Sequence, residues 1–129
     1  MNRTDLKILV VDDAPPMRKI LEKMLHDIGY NQVKEAGDGA AAQKILWSEP
    51  IDFIICDWNM PSMNGLELLQ AVRADPRFES LPFVMVTVET KRARVVEALR
   101  SGVSNYVTKP FTQQVLKEKI DAALTSSAA

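Results

Sequence analysis

The chain is predicted to fold as an α/β domain, a parallel sheet with helices on both faces, on three observations. Short apolar, β-branched runs alternate with longer segments of helical periodicity, which is the signature of repeated strand–helix–strand units. Five runs and five helical segments fit within 129 residues, a length that suits one domain with a real core. Polar residues follow directly on four of the runs: Asp12 and Asp13, Asp57, Thr87 and Lys109.

The first strand is Ile8–Val11. Met17, Ile20, Leu21, Met24, Leu25 and Ile28 then recur on one face of an amphipathic helix. Pro15 and Pro16 stand in its first turn, where proline is tolerated, and Gly29 suits its C-terminal cap. Val33–Ala36 reads as a second strand. Asp38 is placed to cap a helix carrying Ala42, Ile45 and Leu46, which stops before Pro50. The third strand is Phe53–Cys56, and Asn64 with Glu67 forms a capping-box pattern for a helix bearing Leu66, Leu69 and Val72. Asp75-Pro76 ends that helix. Phe83–Val86 is the fourth strand, roughly Lys91–Arg100 the fourth helix, and Asn105–Thr108 the fifth strand. Thr112 caps a last helix with Leu116, Ile120, Ala123 and Leu124 on one face, and Thr125–Ala129 is expected to be a frayed tail. A single domain spanning 1–129 is expected.

Right-handed crossovers leave few ways to wind such a chain, and the flavodoxin-like order 2-1-3-4-5 is the commonest for five strands. Strands 1 and 3 are then neighbours at the point where the winding reverses, and ligands bind outside the strand ends there. Asp12, Asp13 and Asp57 would stand at that point, with Thr87 and Lys109 beside them.

Composition excludes several classes. A formal net charge of −1 offers no basic footprint for nucleic acid. No apolar stretch reaches the roughly 20 residues of a membrane span, and Met1–Asp5 lacks the apolar segment of a secretory signal. Cys56, the only cysteine, lies inside an apolar run and reads as a small buried hydrophobe. A cytoplasmic, reducing location is expected.

Carboxylates about 5 Å apart repel by roughly 3 kcal/mol per pair at an effective dielectric of about 20. Three together therefore call for a cation, and oxygen donors without His or Cys point to Mg²⁺, Mn²⁺ or Ca²⁺ rather than zinc. A structural Asp–Lys network, with Lys109 neutralising the acids, is the plainer alternative. His26 falls on the first helix, away from this edge.

Leu9–Asp13, Asp57-Trp58-Asn59-Met60-Pro61, Gly65–Leu69, Val86-Thr87 and Tyr106–Phe111, in this order and spacing, resemble the receiver domain of two-component response regulators across about residues 5–124. Asp57–Pro61 and Arg73-Ala74-Asp75 are particularly similar to the chemotaxis members of that family. The resemblance implies that Asp57 accepts a phosphoryl group from a phosphohistidine on a histidine kinase. It implies one Mg²⁺, with Mn²⁺ as a substitute, held by Asp13, Asp57 and the backbone carbonyl of Asn59, with Asp12 acting through bound water. Lys109 would pair with one phosphoryl oxygen and Thr87 would hydrogen-bond another; a cis peptide is implied before Pro110. Thr87 and Tyr106 would form a switch remodelling the face of helix 4, strand 5 and helix 5. Lys91, Arg92, Tyr106, Val107, Thr112, Leu116 and Lys119 are the candidate positions on that face.

The receiver pattern occupies nearly the whole chain, so output through the domain's own surface is expected, from a monomer. The implied role is a phosphoacceptor signalling protein rather than an enzyme, with the flagellar motor switch as partner and a phosphatase as a further one. A phosphate sink, or a receiver acting on a non-motor partner, is the alternative. Val88 follows the switch threonine where the family usually has a small residue, and Ala14 replaces a bulkier one. Asn59 and Glu89 are expected to modulate phosphoryl lifetime. An Asp-nucleophile phosphatase of the haloacid dehalogenase type would need a second aspartate where Asn59 stands, and a cap domain. A flavodoxin would need a hydroxyl-rich phosphate loop in place of Asp12-Asp13.

Overall fold

The structure, a computed structural model, describes residues 3–88 and 90–128, without the side chains of residues 3 and 126–128. The strands are β1 (Lys7–Val11), β2 (Gln32–Ala36), β3 (Phe53–Cys56), β4 (Phe83–Thr87) and β5 (Asn105–Thr108). The helices are α1 (Pro15–Ile28), α2 (Gly39–Ser48), α3 (Gly65–Ala74), α4 (Arg92–Arg100) and α5 (Gln113–Ala128). All strand pairs are parallel and the sheet order is β2-β1-β3-β4-β5, the doubly wound arrangement expected.

The helix ends follow the local chemistry. Asp38 caps α2 by accepting from the Ala41 N–H at 2.8 Å. Asn64 and Glu67 close a full capping box at α3, with bonds of 2.8 and 3.0 Å. Thr112 Oγ1 accepts from the Val115 N–H at 3.1 Å at the start of α5. Gly29 ends α1 with φ 126°, in a region where a Cβ is strained. Two single-turn 3-10 segments, Arg3–Asp5 and Pro76–Phe78, lie outside the predicted elements. Helical backbone continues through Ala128, and Thr125 Oγ1 donates to the Asp121 carbonyl at 2.8 Å. Ala129 lies outside the described residues.

Strand alternation divides the core into two layers. Leu9, Val11, Ile54, Cys56, Phe83 and Met85 pack against α2, α3 and α4. Ile8, Val10, Phe53, Ile55, Val84, Val86 and Val107 pack against α1 and α5 through Leu21, Leu25, Leu116, Ile120 and Ala123. With helices on both faces, the open chemistry of this domain falls at the carboxyl ends of the strands.

Of the positions expected on the output face, Leu116 is corrected by this division, and Val107 turns its side chain inward. Val107 is 2% exposed and Leu116 is 0% exposed. Val107 is one residue from Tyr106, so the two-residue period of a strand sends it to the opposite layer. Leu116 shares the buried stripe of α5 with Ile120 and Ala123.

Candidate functional site

Register brings the acids together. Val11 pairs with Cys56 across β1 and β3, so the next residues, Asp12 and Asp57, emerge side by side. The Asp57 N–H donates to the Val11 carbonyl at 2.9 Å, and the Asp12 N–H to Ala36 at 3.1 Å. One carboxylate oxygen from each of Asp12, Asp13 and Asp57 lies within 4.8 Å of the others. On the far side Thr87 pairs with Thr108, and the Lys109 N–H donates to the Thr87 carbonyl at 2.9 Å. The peptide between Lys109 and Pro110 is cis.

Lys109 bridges the acids: its Nζ lies 2.9 Å from Asp12 Oδ2 and 3.6 Å from Asp57 Oδ2. Asp12 is held at both oxygens, since Oδ1 accepts from the Ala14 N–H at 2.9 Å. Asp57 is held on one side only. Its Oδ1 is buried and has no hydrogen-bond partner among the described residues. An ionised oxygen in that position is costly unless a cation or donor completes it. An all-oxygen donor set with one orphaned oxygen fits a hard divalent cation such as Mg²⁺, and Asp13 and Asp57 are the carboxylates with capacity to hold it.

Thr87 is fully buried at the end of β4, and Tyr106 is half-buried against the α2–α4 layer. Asn59 is exposed in the loop after β3, and Val88 is 63% exposed, so its added bulk meets solvent rather than the core. Glu89 lies outside the described residues. Ala14 is the N-cap of α1 and makes no side-chain cap bond. Burial pushes the Cys56 thiol well up, and the neighbouring carboxylates of Asp57 and Asp12 add to it, so the buried-hydrophobe reading holds. His26 is exposed on α1, away from the acids.

The face beside β5 is partly as expected. Lys91, Arg92 and Thr112 are exposed. An open groove of about 350 Å³ runs along Tyr106–Thr108 and Pro110–Thr112 and is closed by Val115 and Lys119, so Val107 borders it although its side chain is buried. Val115 and Phe111 were missed, although Thr112, Val115 and Lys119 at i, i+3 and i+7 carry the helical spacing that would have found Val115. Gly65 was quoted without a role: a Cβ there would meet the carbonyl oxygen of Asp57 and come within 2.9 Å of Trp58 Cα. Arg94 on α4 places its guanidinium 5.5 Å from the ring centroid of buried Trp58.

Among the described residues, no helix is long and apolar enough to cross a membrane. A family model described as the response regulator receiver domain matches residues 8–121. The chain is 53% identical over 116 residues to the chemotaxis protein CheY of Pseudomonas aeruginosa, covering 90% of this chain and 94% of that one. It is 48% identical to the chemotaxis protein CheY homolog of Campylobacter jejuni, covering 92% of each. Among solved structures it resembles chemotaxis protein CheY4 of Vibrio cholerae with a TM-score of 0.86 and 34% identity, covering 92% of this chain and 98% of that one. By its order of strands, its clustered acids and these matches, the chain belongs to the response regulator receiver domain family.

Proposed function

We propose that this protein is a CheY-like response regulator of chemotaxis that receives a phosphoryl group on Asp57 from a histidine kinase. The observation that carries the reading is the Asp57 side chain, 10% exposed, with one orphaned oxygen and with Lys109 3.6 Å from the other. An ionised aspartate is the nucleophile: its oxygen forms a bond to phosphorus as the P–N bond of the donor phosphohistidine breaks, and the electron pair returns to the imidazole. Lys109 supplies a positive charge to the incoming phosphoryl oxygens, and Thr87 supplies a hydroxyl donor. Asp13, Asp57 and the Asn59 carbonyl would hold Mg²⁺, and Asp12 would act through water. When bound, the metal neutralises charge on the transferring group.

The protein acts as a signalling switch rather than a turnover enzyme. Phosphorylation draws Thr87 toward the site and turns Tyr106 inward, remodelling the groove beside Phe111, Thr112, Val115 and Lys119. A change from 1:99 to 99:1 requires about 5.5 kcal/mol of differential stabilisation, a demand that a dianion gripped by Lys109 and metal can meet in large part. The curated relatives named as chemotaxis proteins support the flagellar motor switch as the partner of that face.

Incubation with acetyl phosphate and Mg²⁺, followed by mass spectrometry, is expected to add a single phosphoryl group to the parent and none to Asp57→Asn. No adduct on the parent overturns the proposal. Two further outcomes are expected at this site. Asn59→Ala changes the decay rate of the phosphorylated protein without preventing its formation; equal decay in variant and parent counts against a role for Asn59. Asp13→Asn relieves repulsion at an exposed position, so in chelator its urea midpoint rises by an amount equivalent to about 1 kcal/mol, while calorimetric Mg²⁺ affinity falls.

A further inference from the structure

Arg18 on α1 reaches back beneath the acid pair. Its Nη1 donates to the backbone carbonyl of Asp12 at 2.6 Å, and its Nε donates to Glu35 Oε1, on β2, at 3.2 Å. The side chain is only 19% exposed. The second oxygen of Glu35 accepts from Lys19 Nζ at 3.3 Å, so the carboxylate gripping Arg18 is itself held from both sides. Partial burial works against the charged form of Glu35, but the hydrogen bonds it accepts from Lys19 and Arg18, with the charge of Lys19, help hold it below the ordinary range.

The Asp12 carbonyl belongs to the peptide that joins Asp12 to Asp13. Because a peptide unit is planar, gripping its oxygen sets the direction in which Asp13 departs. The Asp12 carboxylate is fixed independently, by Ala14 and Lys109. Asp13, in contrast, stands on exposed backbone past the end of β1. We propose that Arg18 is a positioning residue for the metal site: through the Asp12–Asp13 peptide it aims the Asp13 carboxylate at Asp57, and Glu35 holds Arg18 in place. Among the described residues, no hydrogen bond or ion pair joins Arg18 to the carboxylate of Asp13 or Asp57; its partners are Glu35 and the Asp12 carbonyl. The inference rests on the reading of the acids as a Mg²⁺ site.

Charge and positioning predict opposite signs, which makes the idea testable. Removing a guanidinium from the neighbourhood of a cation site should, by Coulomb's law alone, tighten Mg²⁺ binding. Loss of aim should weaken it. Arg18→Lys keeps the charge but lacks the planar fork that serves two acceptors at once. Isothermal titration of MgCl₂ into the full chain, with thermal unfolding in chelator as a companion measurement, separates the cases. The Mg²⁺ dissociation constant is expected to rise about tenfold in Arg18→Met and several-fold in Arg18→Lys, in the range seen when partners of metal ligands are removed. Glu35→Gln, which leaves Arg18 in place and only loosens its grip, is expected to raise it about threefold by the same mechanism.

Mg²⁺ affinity in Arg18→Met equal to or tighter than the parent's overturns the proposal, as does a lowered unfolding midpoint with unchanged affinity in Arg18→Lys. If an Arg18 variant fails to fold, Glu35→Gln decides alone, and an unchanged affinity there is equally fatal. A parent that binds no Mg²⁺ overturns the metal reading and this inference with it, an outcome distinct from parent-like binding in the variants.

Discussion

Replacing Lys109 by methionine is expected to destabilise the domain by about 3 kcal/mol in the presence of chelator, the cost of removing one partner from a buried ionic group. The Lys109 side chain is 13% exposed, while those of Asp12 and Asp57 are 2% and 10% exposed. With Lys109 gone, these carboxylates face each other without a countercharge in a setting water scarcely reaches. Methionine keeps most of the apolar stem that lysine packs along the protein, so the loss reports on charge rather than on a cavity. Added Mg²⁺ is expected to restore part of the stability, because a cation binding only the folded state raises its free energy of unfolding. Urea unfolding in chelator and in Mg²⁺ checks both parts. An unchanged midpoint in chelator would mean that the acids are already solvated and that Lys109 has no structural share. The same variant is expected to accept a phosphoryl group from acetyl phosphate yet to lose the phosphorylation-dependent capture of a motor-switch peptide.

Gly65→Ala is the second large effect, and it arises from backbone rather than charge. The added methyl group would press on the Asp57 carbonyl oxygen and sit 2.9 Å from Trp58 Cα and 3.0 Å from the Asp57 carbonyl carbon. Those atoms cannot swing away as a side-chain end can. The Gly65 N–H also donates to the Trp58 carbonyl at 2.8 Å, so the start of α3 is pinned to the peptides that follow the acceptor. Overpacking of this kind costs about 2–3 kcal/mol, and the displacement falls on Asp57 itself. A lower urea midpoint together with slower phosphorylation by acetyl phosphate is the expected result. A variant as stable as the parent would show that α3 can retreat without moving the acceptor.

The parts of this molecule legible in the sequence are those governed by local chemistry. Asp38, Asn64 with Glu67, Gly29 and Thr112 announce helix ends because each satisfies or frees specific backbone groups within a few residues. Asp12, Asp13, Asp57 and Lys109 were legible because parallel strands deliver their following residues to one edge. The misplaced residues were assigned by likeness rather than by period. Val107 stands next to Tyr106 and Leu116 lies on the apolar stripe with Ile120, so the alternation of a strand and the pitch of a helix already sent both to the core. Arg18 and Gly65 were not legible for a different reason. Arg18 acts on the backbone carbonyl of Asp12 and Gly65 on that of Asp57, each across the loop at a strand end, and neither leaves a pattern in composition or spacing.

The two tryptophans occupy opposite ends of the sheet in unlike surroundings. Trp58 is 1% exposed, next to the acceptor and beneath Arg94, while Trp47 is 41% exposed near the end of α2, edge-on to Phe78. An indole sealed from water emits at shorter wavelength than one in contact with it. The chain thus carries its own pair of optical probes, a blue-shifted emitter beside Asp57 and a red-shifted one remote from it. In Trp47→Phe the remaining emission is expected to change on titration with MgCl₂ if the acid cluster takes up the ion, a label-free readout beside Asp57.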